Sequence, residues 1–497
     1  MAEILTFFQW RTMMRSVELQ ISGKICVSRA DVISLAAAYF DDGRFLHDLQ
    51  QRVAIRTESQ GSPSTAILRS YLSESIVPQI TSLGFQCRIV ENPIAGAGPF
   101  LIAERIEDGA AFTVLTYGHG DVVRGQQEQW RAGLEPWRIV VEGDRWYGRG
   151  TADNKGQHTI NLAALAQVLA RRKGRLGYNV KLIFETGEEI GSVGLREVCS
   201  QSREALRADV FIASDGPRVA ADTPTIFLGS RGEYTFRLGV RLREGGHHSG
   251  NWGGVLRNPA VRLAHAIAGM VDEKGRVLVR GLLPGSLPPD VAKALRGIAV
   301  GGGEADPAID PEWGEPGLSP AERVYGWNTL EVLAFESGNP KAPVNAVPGE
   351  AYAFCQIRWV VGSDRENFLP LVRRHLDARG FSDVDVEPHG TPMMATRLDL
   401  GNPWAQWAVD SLERTARKPA ALLPNFGGSL PNDVFSEVLG LPTLWIPHSY
   451  PACSQHAPNE HLLGGVAREA LQIMAGLFWD LTDEGPAIID RLRKRAG

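Results

Sequence analysis

Nowhere does this chain carry an uninterrupted apolar run of 18 residues, so no segment reads as a membrane-spanning helix. It also has no run of lysines and arginines, and a net charge of −5 offers no basic surface for nucleic acid. Cysteine is scarce: five residues, an odd number and widely scattered, do not make a disulfide framework. A Gly-x-Ser-x-Gly elbow is missing too, which leaves that type of serine chemistry without its nucleophile. What is present is ordinary for a cytoplasmic globular protein, 43% hydrophobic and 22% charged. The 497 residues exceed a usual single domain, so two are expected.

The first stretch, residues 1–28, contains Ile4-Leu-Thr-Phe-Phe8, too short for a secretory apolar core. It reads as a loosely attached extension, or as a start placed too far upstream. A helix then runs from Arg29 through Phe40 and Leu46 to Val53. Gly156 to Arg172 is a second helix, capped by Asp153 or Asn154, with an apolar stripe through Ile160, Ala163, Ala164, Val168 and Leu169. His158 is expected to face solvent on its first turn, and Gly174 to end it. Strands alternating with helices predict an α/β fold, a mixed sheet with helices on both faces. From residue 221 to 243 the pattern changes to hairpin strands. A helix over 258–270, strands over 327–335 and 351–361, and a helix over 366–379 suit an inserted α+β domain of split βαβ, ferredoxin-like type. Residues 281–317, rich in glycine and proline, read as a surface insertion. The expected catalytic domain therefore spans 29–218 and 396–497, and the inserted lid or dimerisation domain 219–395.

Several apolar runs end in residues able to bind a divalent metal. Phe112–Thr116 leads into Tyr117-Gly-His119-Gly-Asp121, and Val180–Phe184 into Glu185-Thr-Gly-Glu188-Glu189. Val210–Ser214 ends in Asp215, and Thr443–Ile446 precedes Cys453-Ser-Gln-His456-Ala-Pro-Asn-Glu460. A glycine-rich piece, Gly148-Arg-Gly-Thr-Ala-Asp153-Asn-Lys-Gly156, joins them. In open α/β sheets ligands collect beyond the carboxyl ends of the strands, so one shared site is the economical reading. Any one of these residues alone is more often a cap or a turn residue. Together His119, Asp153, Glu189, Asp215 and His456 supply two imidazoles and three carboxylates, more than one four-coordinate ion requires. They suit two divalent ions if one carboxylate bridges; zinc fits the mixed donors, and manganese or cobalt the oxygen-rich share. Glu188 is then free to act as a base, and Asp121 to hold the other ring nitrogen of His119. Cys453 reads as a small buried residue.

In order and content these motifs resemble the dinuclear zinc peptidases of carnosinase, carboxypeptidase G, acetylornithine deacetylase and succinyl-diaminopimelate desuccinylase, peptidase family M-twenty. The resemblance runs from about Ala30 to the C-terminus and is nearest to the carnosinase-like dipeptidases. It implies that Asp153 is the bridge, followed by a cis peptide to Asn154. The stretch from Gly246 through His247 and His248 to Gly254 resembles the family's H-S-G-x-x-G-G loop, with His248 in the motif position and His247 its neighbouring rival. In related dimers that histidine reaches the neighbour's active site. Asn345-Ala-Val-Pro-Gly349 resembles the N-x-x-P-G segment, and Gln356-Ile-Arg358 the strand whose arginine grips a substrate carboxylate. Gly427-Gly428-Ser429-Leu-Pro431 resembles the substrate loop of the dipeptidases, although Asn425 and Phe426 stand where an arginine commonly precedes it.

The implied protein is a homodimeric hydrolase cleaving an amide bond in a small substrate with a free carboxylate, as a dipeptidase or carboxypeptidase does. Its water would be activated between two divalent metals and Glu188, with His248 polarising the carbonyl. The alternatives are an N-acyl or N-carbamoyl amino-acid amidohydrolase and a non-catalytic ligand-binding protein on the same scaffold.

Overall fold

The computed structural model describes residues 28–303 and 306–496. The extension read over residues 1–28 thus lies outside the described residues except for Ser28, whose hydroxyl accepts from the Asp31 N–H in a capping box. Helix α1, Arg29–Asp41, stops early. Gly43 takes the left-handed conformation (φ 83°) and a separate helix, Arg44–Val53, begins after it. The single helix expected to reach Val53 is therefore two.

The large sheet is built from β1 (Gln86–Val90), β2 (Phe100–Arg105), β3 (Thr113–His119), β4 (Asn179–Glu185), β5 (Val210–Ala213) and β6 (Thr225–Phe227). Between β3 and β4 runs α2, Lys155–Arg171. The chain next forms a small sheet from β7 (Gly232–Arg241), β8 (Thr329–Glu336), β9 (Glu350–Trp359) and β10 (Asp385–Pro388), with helices α3 (Pro259–Ala268), α4 (Pro289–Leu295) and α5 (Phe368–Ala378). Through helix α6 (Pro403–Ala416) it returns to the large sheet with β11 (Ala421–Leu423) and β12 (Thr443–Trp445), before the terminal helix α7 (Gly464–Ala496). The strand orders are β1-β2-β4-β3-β5-β12-β6-β11 and β8-β9-β7-β10.

The large sheet is mixed: β4, β3, β5 and β12 run parallel, and β1 and β2 pair antiparallel at one edge. Alternation along its central strands explains the two covered faces. Val114, Leu182, Phe184, Val210 and Ile212 point into one buried cluster, with α1, α2 and α7 residues. Leu115, Tyr117, Ile183 and Phe211 point into the other, with Leu195, Val198 and Phe435. The small sheet is antiparallel throughout and buries Phe236, Leu238, Cys355 and Ile357 against α3 and α5. Counting only the helices packed on this sheet, α3 and α5, the chain order is strand, helix, two strands, helix, strand, the split βαβ arrangement.

Three local expectations fail, each for a packing reason. Residues 221–243 do not form a hairpin: β6 pairs with β11 in the large sheet, and only β7 joins the small one. The stretch assigned to the inserted domain from residue 219 thus still contains a strand of the large sheet. Residues 281–317 are not a plain surface loop, because α4 buries Val291 and Leu295 in the large sheet's second cluster. His158 does not face solvent. Helix α2 is covered on every side through its first three turns, so the ring is 1% exposed and packs edge-on to Phe184.

One edge of the small sheet is open. Strand β8 leaves Val332, Leu333 and Phe335 exposed along it. Among the described residues no helix is long and apolar enough to cross a membrane.

Candidate metal centre

Parallel pairing places His119 and Glu185 opposite each other at the carboxyl ends of β3 and β4. On the other side of β3, β5 ends at Ala213, two residues before Asp215. The glycine-rich loop before α2 contributes Asp153 to these ends, and the segment after β12 contributes His456. Two groups of donors result, His119 with Asp153 and Asp215, and Asp153 with Glu189 and His456; within each group the donor atoms lie within 4.8 Å of one another. Asp153 belongs to both. Its Oδ1 lies 3.0 Å from His119 Nε2 and its Oδ2 lies 3.0 Å from His456 Nε2. The peptide between Asp153 and Asn154 is cis.

The electrostatics are those of a site built for cations. Among the described residues no lysine or arginine pairs with Asp153, Glu188, Glu189 or Asp215; the ion pairs of this group run only to His119 and His456. Burial first, and then the charge of Asp153, push Glu189 up to about 7 and Asp215 up to about 6. Burial also raises Glu188 well above the usual carboxylate range, helped by the charges of Asp215, Glu189 and Asp153. Asp153 alone goes the other way. Its burial opposes ionisation, but hydrogen bonds to His119 and His456 outweigh it. A crowd of buried acids with too few cations among its neighbours is the donor chemistry that divalent metals fit.

Asp121 stands behind His119: its carboxylate lies 3.3 Å and its carbonyl 3.1 Å from Nδ1, leaving Nε2 to face the cluster. The same carboxylate accepts the backbone N–H groups of Glu188 (3.2 Å) and Glu189 (3.1 Å), which anchors the acidic loop. Glu188 lies outside both donor groups.

Glu460 is a site residue that the sequence reading quoted without assigning it a role. Its buried carboxylate accepts the N–H groups of Gly150 (3.0 Å), Ala152 (3.0 Å) and Asp153 (3.1 Å) and pairs with the buried Arg149 at 2.8 Å. It thereby fixes the loop that presents Asp153. The available signal was Arg149 inside one motif and Glu460 at the end of another, two charges with no obvious solvent role. Gly156 completes the turn: a Cβ there would lie 1.9 Å from the Thr151 carbonyl oxygen, so no other residue fits. Asn154 caps α2 only in position, since its side chain donates to the Ser214 carbonyl instead. Gln455 also donates to Asp153.

The remaining motif residues form two further groupings. Arg358 donates to Ser429 Oγ at 2.8 Å and lies 3.3 Å from Glu233, so the small sheet meets the Gly427-Gly428-Ser429 loop. His248 and Asn345 sit together on an exposed part of the inserted segment, where residues 247–248 pair with 346–347 and the Asn345 carbonyl accepts from Ser249. His248 is solvent-exposed, and among the described residues its ring accepts only the Gly250 N–H. Among the described residues no hydrogen bond or ion pair joins that pair to the acidic cluster.

Comparison with known proteins places this geometry in context. Residues 115–480 match the family described as peptidase family M20/M25/M40. The chain is 31% identical over 412 residues to the β-Ala-His dipeptidase of Mus musculus, covering 78% of this chain and 80% of that one. It is 30% identical over 282 residues to the cysteinylglycine-S-conjugate dipeptidase of Corynebacterium striatum, covering 54% of this chain and only 60% of the relative. Among solved structures it is similar to the M20 family metallo-carboxypeptidase Sso-CP2 of Sulfolobus solfataricus, with a TM-score of 0.73, 25% identity, and 88% and 98% of the two chains covered.

Proposed function

This chain belongs to peptidase family M20/M25/M40, and from that premise we propose that it is a dinuclear metallohydrolase cleaving the amide bond of a dipeptide-sized substrate with a free carboxylate. The observation that carries the reading is Asp153, whose two oxygens each face a different histidine and so serve two donor groups at once. His119, Asp153 and Asp215 would hold one cation, and Asp153, Glu189 and His456 the other. When bound, two divalent cations supply Lewis acidity, lowering the pKa of water and polarising a carbonyl. Zinc suits these donors best, with manganese or cobalt as alternatives.

Glu188 takes the proton of the attacking water and returns it to the leaving amine, a general base and then acid; its burial raises its pKa above the usual carboxylate range. Asp121 keeps His119 oriented and holds the Glu188 backbone. Arg358 and Ser429, already hydrogen-bonded to each other, grip the substrate carboxylate, a bidentate task suited to a planar guanidinium. Relatives named for β-Ala-His and cysteinylglycine S-conjugates make dipeptides the first substrates to test. Incubation with zinc, manganese or cobalt and a panel of dipeptides and N-acyl or N-carbamoyl amino acids, read by mass spectrometry, should show dipeptides turning over fastest. A panel cleaved only at N-acyl or N-carbamoyl bonds would replace the dipeptidase reading. A protein that binds but turns over none would be a ligand-binding member of the family.

The functional unit in this reading is a cytoplasmic homodimer. The free cysteines fit a reducing compartment. The open edge of β8, with Val332, Leu333 and Phe335 exposed, supplies a surface for a second copy, and His248 and Asn345 stand on exposed loops of the same domain. His248 of one subunit would then stabilise the attacked carbonyl in the other. Mixing His248→Ala subunits with Glu188→Gln subunits, each inactive alone, should partly restore activity, because one site of the mixed dimer is whole. No recovery despite proven subunit exchange would assign His248 to its own subunit or to no catalytic role.

A further inference from the structure

We infer that the substrate's carboxylate-bearing residue places a large apolar or aromatic side chain in a cavity beside Arg358, so that the preferred substrates end in such a residue rather than in glycine. The inference rests on the reading of Arg358 as the carboxylate grip. The cavity, of about 500 Å³, is lined by Arg231, Val300, Ile309, Trp313, Trp327 and Arg358 among others. A volume of this order is usual for small-molecule sites.

Its floor is the polar face of the small sheet. Strand register sets Thr329 and Glu233 on either side of Arg358, and Glu331 beside Gln356, so these side chains share one face while Ile357 and Cys355 point to the core. Its roof is the segment that the sequence pattern suggested was a mere surface insertion. Residues 300–303 and 306–327 supply it, with Val300, Ile309 and the two indoles lining the cavity opposite the sheet. Just before it in the chain, α4 buries Val291 and Leu295 in the large sheet's second cluster, which fixes where this segment begins.

The cavity and the substrate loop share a wall. Ser429 Oγ, which accepts from Arg358, donates to the Arg231 carbonyl at 2.8 Å, and Arg231 Nε donates to the Gly427 carbonyl at 2.6 Å. A Cβ on Gly427 would lie 2.9 Å from Val324 Cγ1, so the loop is pressed directly against the lining. A carboxylate held on Arg358 and Ser429 therefore has this cavity as its neighbouring space.

Its polar groups fit a carboxylate as well as an apolar body. Arg231 is only 8% exposed and among the described residues makes no ion pair, its two hydrogen bonds going to the Gly427 and Trp327 carbonyls. Burial, then the charge of Arg358, push it down to about 9, the mark of a cation short of an anion. Among the described residues the buried Trp327 indole N–H has no hydrogen-bond partner. Of the acids on the wall, Glu315 is 3.0 Å from Arg280 and Asp310 is exposed to solvent, while the charge of Glu331 opposes the fall of Arg231 without outweighing burial and Arg358.

The test uses zinc-loaded protein and two pairs of probes, Ala-Phe against Ala-Gly for turnover and N-acetylphenylalanine against N-acetylglycine for binding by calorimetry. Burying a large apolar side chain favours the aromatic member by about tenfold to a hundredfold in kcat/KM and in affinity. Ile309→Trp fills the cavity from a half-exposed position that tolerates substitution, and should lower both ratios by about tenfold. Equal turnover and equal binding of the two members, unmoved by Ile309→Trp, would overturn the pocket while leaving the hydrolase reading in place. An aromatic preference in binding that Ile309→Trp removes, without cleavage of any peptide, would uphold the pocket and overturn the hydrolase.

Discussion

Glu188→Gln is expected to leave a folded protein that still binds its cations and has lost at least about 10²–10⁴-fold in kcat, the usual contribution of a general acid–base group. Folding should survive because the loop does not depend on this side chain. Its backbone is held by the Asp121 carboxylate, which accepts the Glu188 and Glu189 N–H groups. Metal content should survive because Glu188 belongs to neither donor group. Elemental analysis beside steady-state kinetics separates the two properties. A near-normal kcat would move the base elsewhere, and Glu185 is the neighbouring candidate. Its carboxylate, however, already accepts from Tyr117 (2.8 Å) and Ser192 (2.9 Å), and burial pushes it up to about 7. Those contacts fit a residue that shapes the loop.

Asp153→Ala should abolish activity by removing both cations, since it deletes the one carboxylate common to both groups. Asp215→Ala and Glu189→Ala each remove a donor from a single group, so they should weaken one site more than the other. Metal-to-protein ratios by elemental analysis read this directly. Thermal unfolding supplies a second measure: a cation that binds only the folded state raises the melting temperature, by about 2.7 kcal/mol of stability at a hundredfold excess over Kd. A chelator should therefore lower the melting temperature of the wild type and abolish its activity, and added divalent metal should restore both. Full activity in chelator with no metal bound would end the metallohydrolase reading.

The order of strands and helices could be read from the chain because alternation and helical spacing are local. Phe112–Thr116 and Val180–Phe184 announce buried strands, and the polar residues that follow them announce strand ends. Motif resemblance was legible for a similar reason: Gly156 must be glycine where a Cβ would strike the Thr151 carbonyl. What failed depended on neighbours far away in sequence. The sequence near His158 reads as a first helical turn open to solvent, but Tyr71 and Phe184 enclose the ring. Residues 225–227 look like half of a hairpin, yet they pair with 421–423, nearly two hundred positions on. Glycine and proline in 281–317 suggest a loose insertion, whereas Val291 and Leu295 anchor it in the core.

From its sequence alone this protein was determined to be an α/β enzyme-like chain with a mixed sheet, an inserted α+β domain and a set of imidazoles and carboxylates at strand ends. Spacing and side-chain chemistry carry that much, because both are properties of short segments. Only the tertiary structure decided that Asp153 faces a histidine with each oxygen, that Glu460 fastens its loop from three hundred residues away, and that a cavity opens beside Arg358. Those relations arise where separate strands and loops are packed together, and no local pattern in the chain encodes the distance between them.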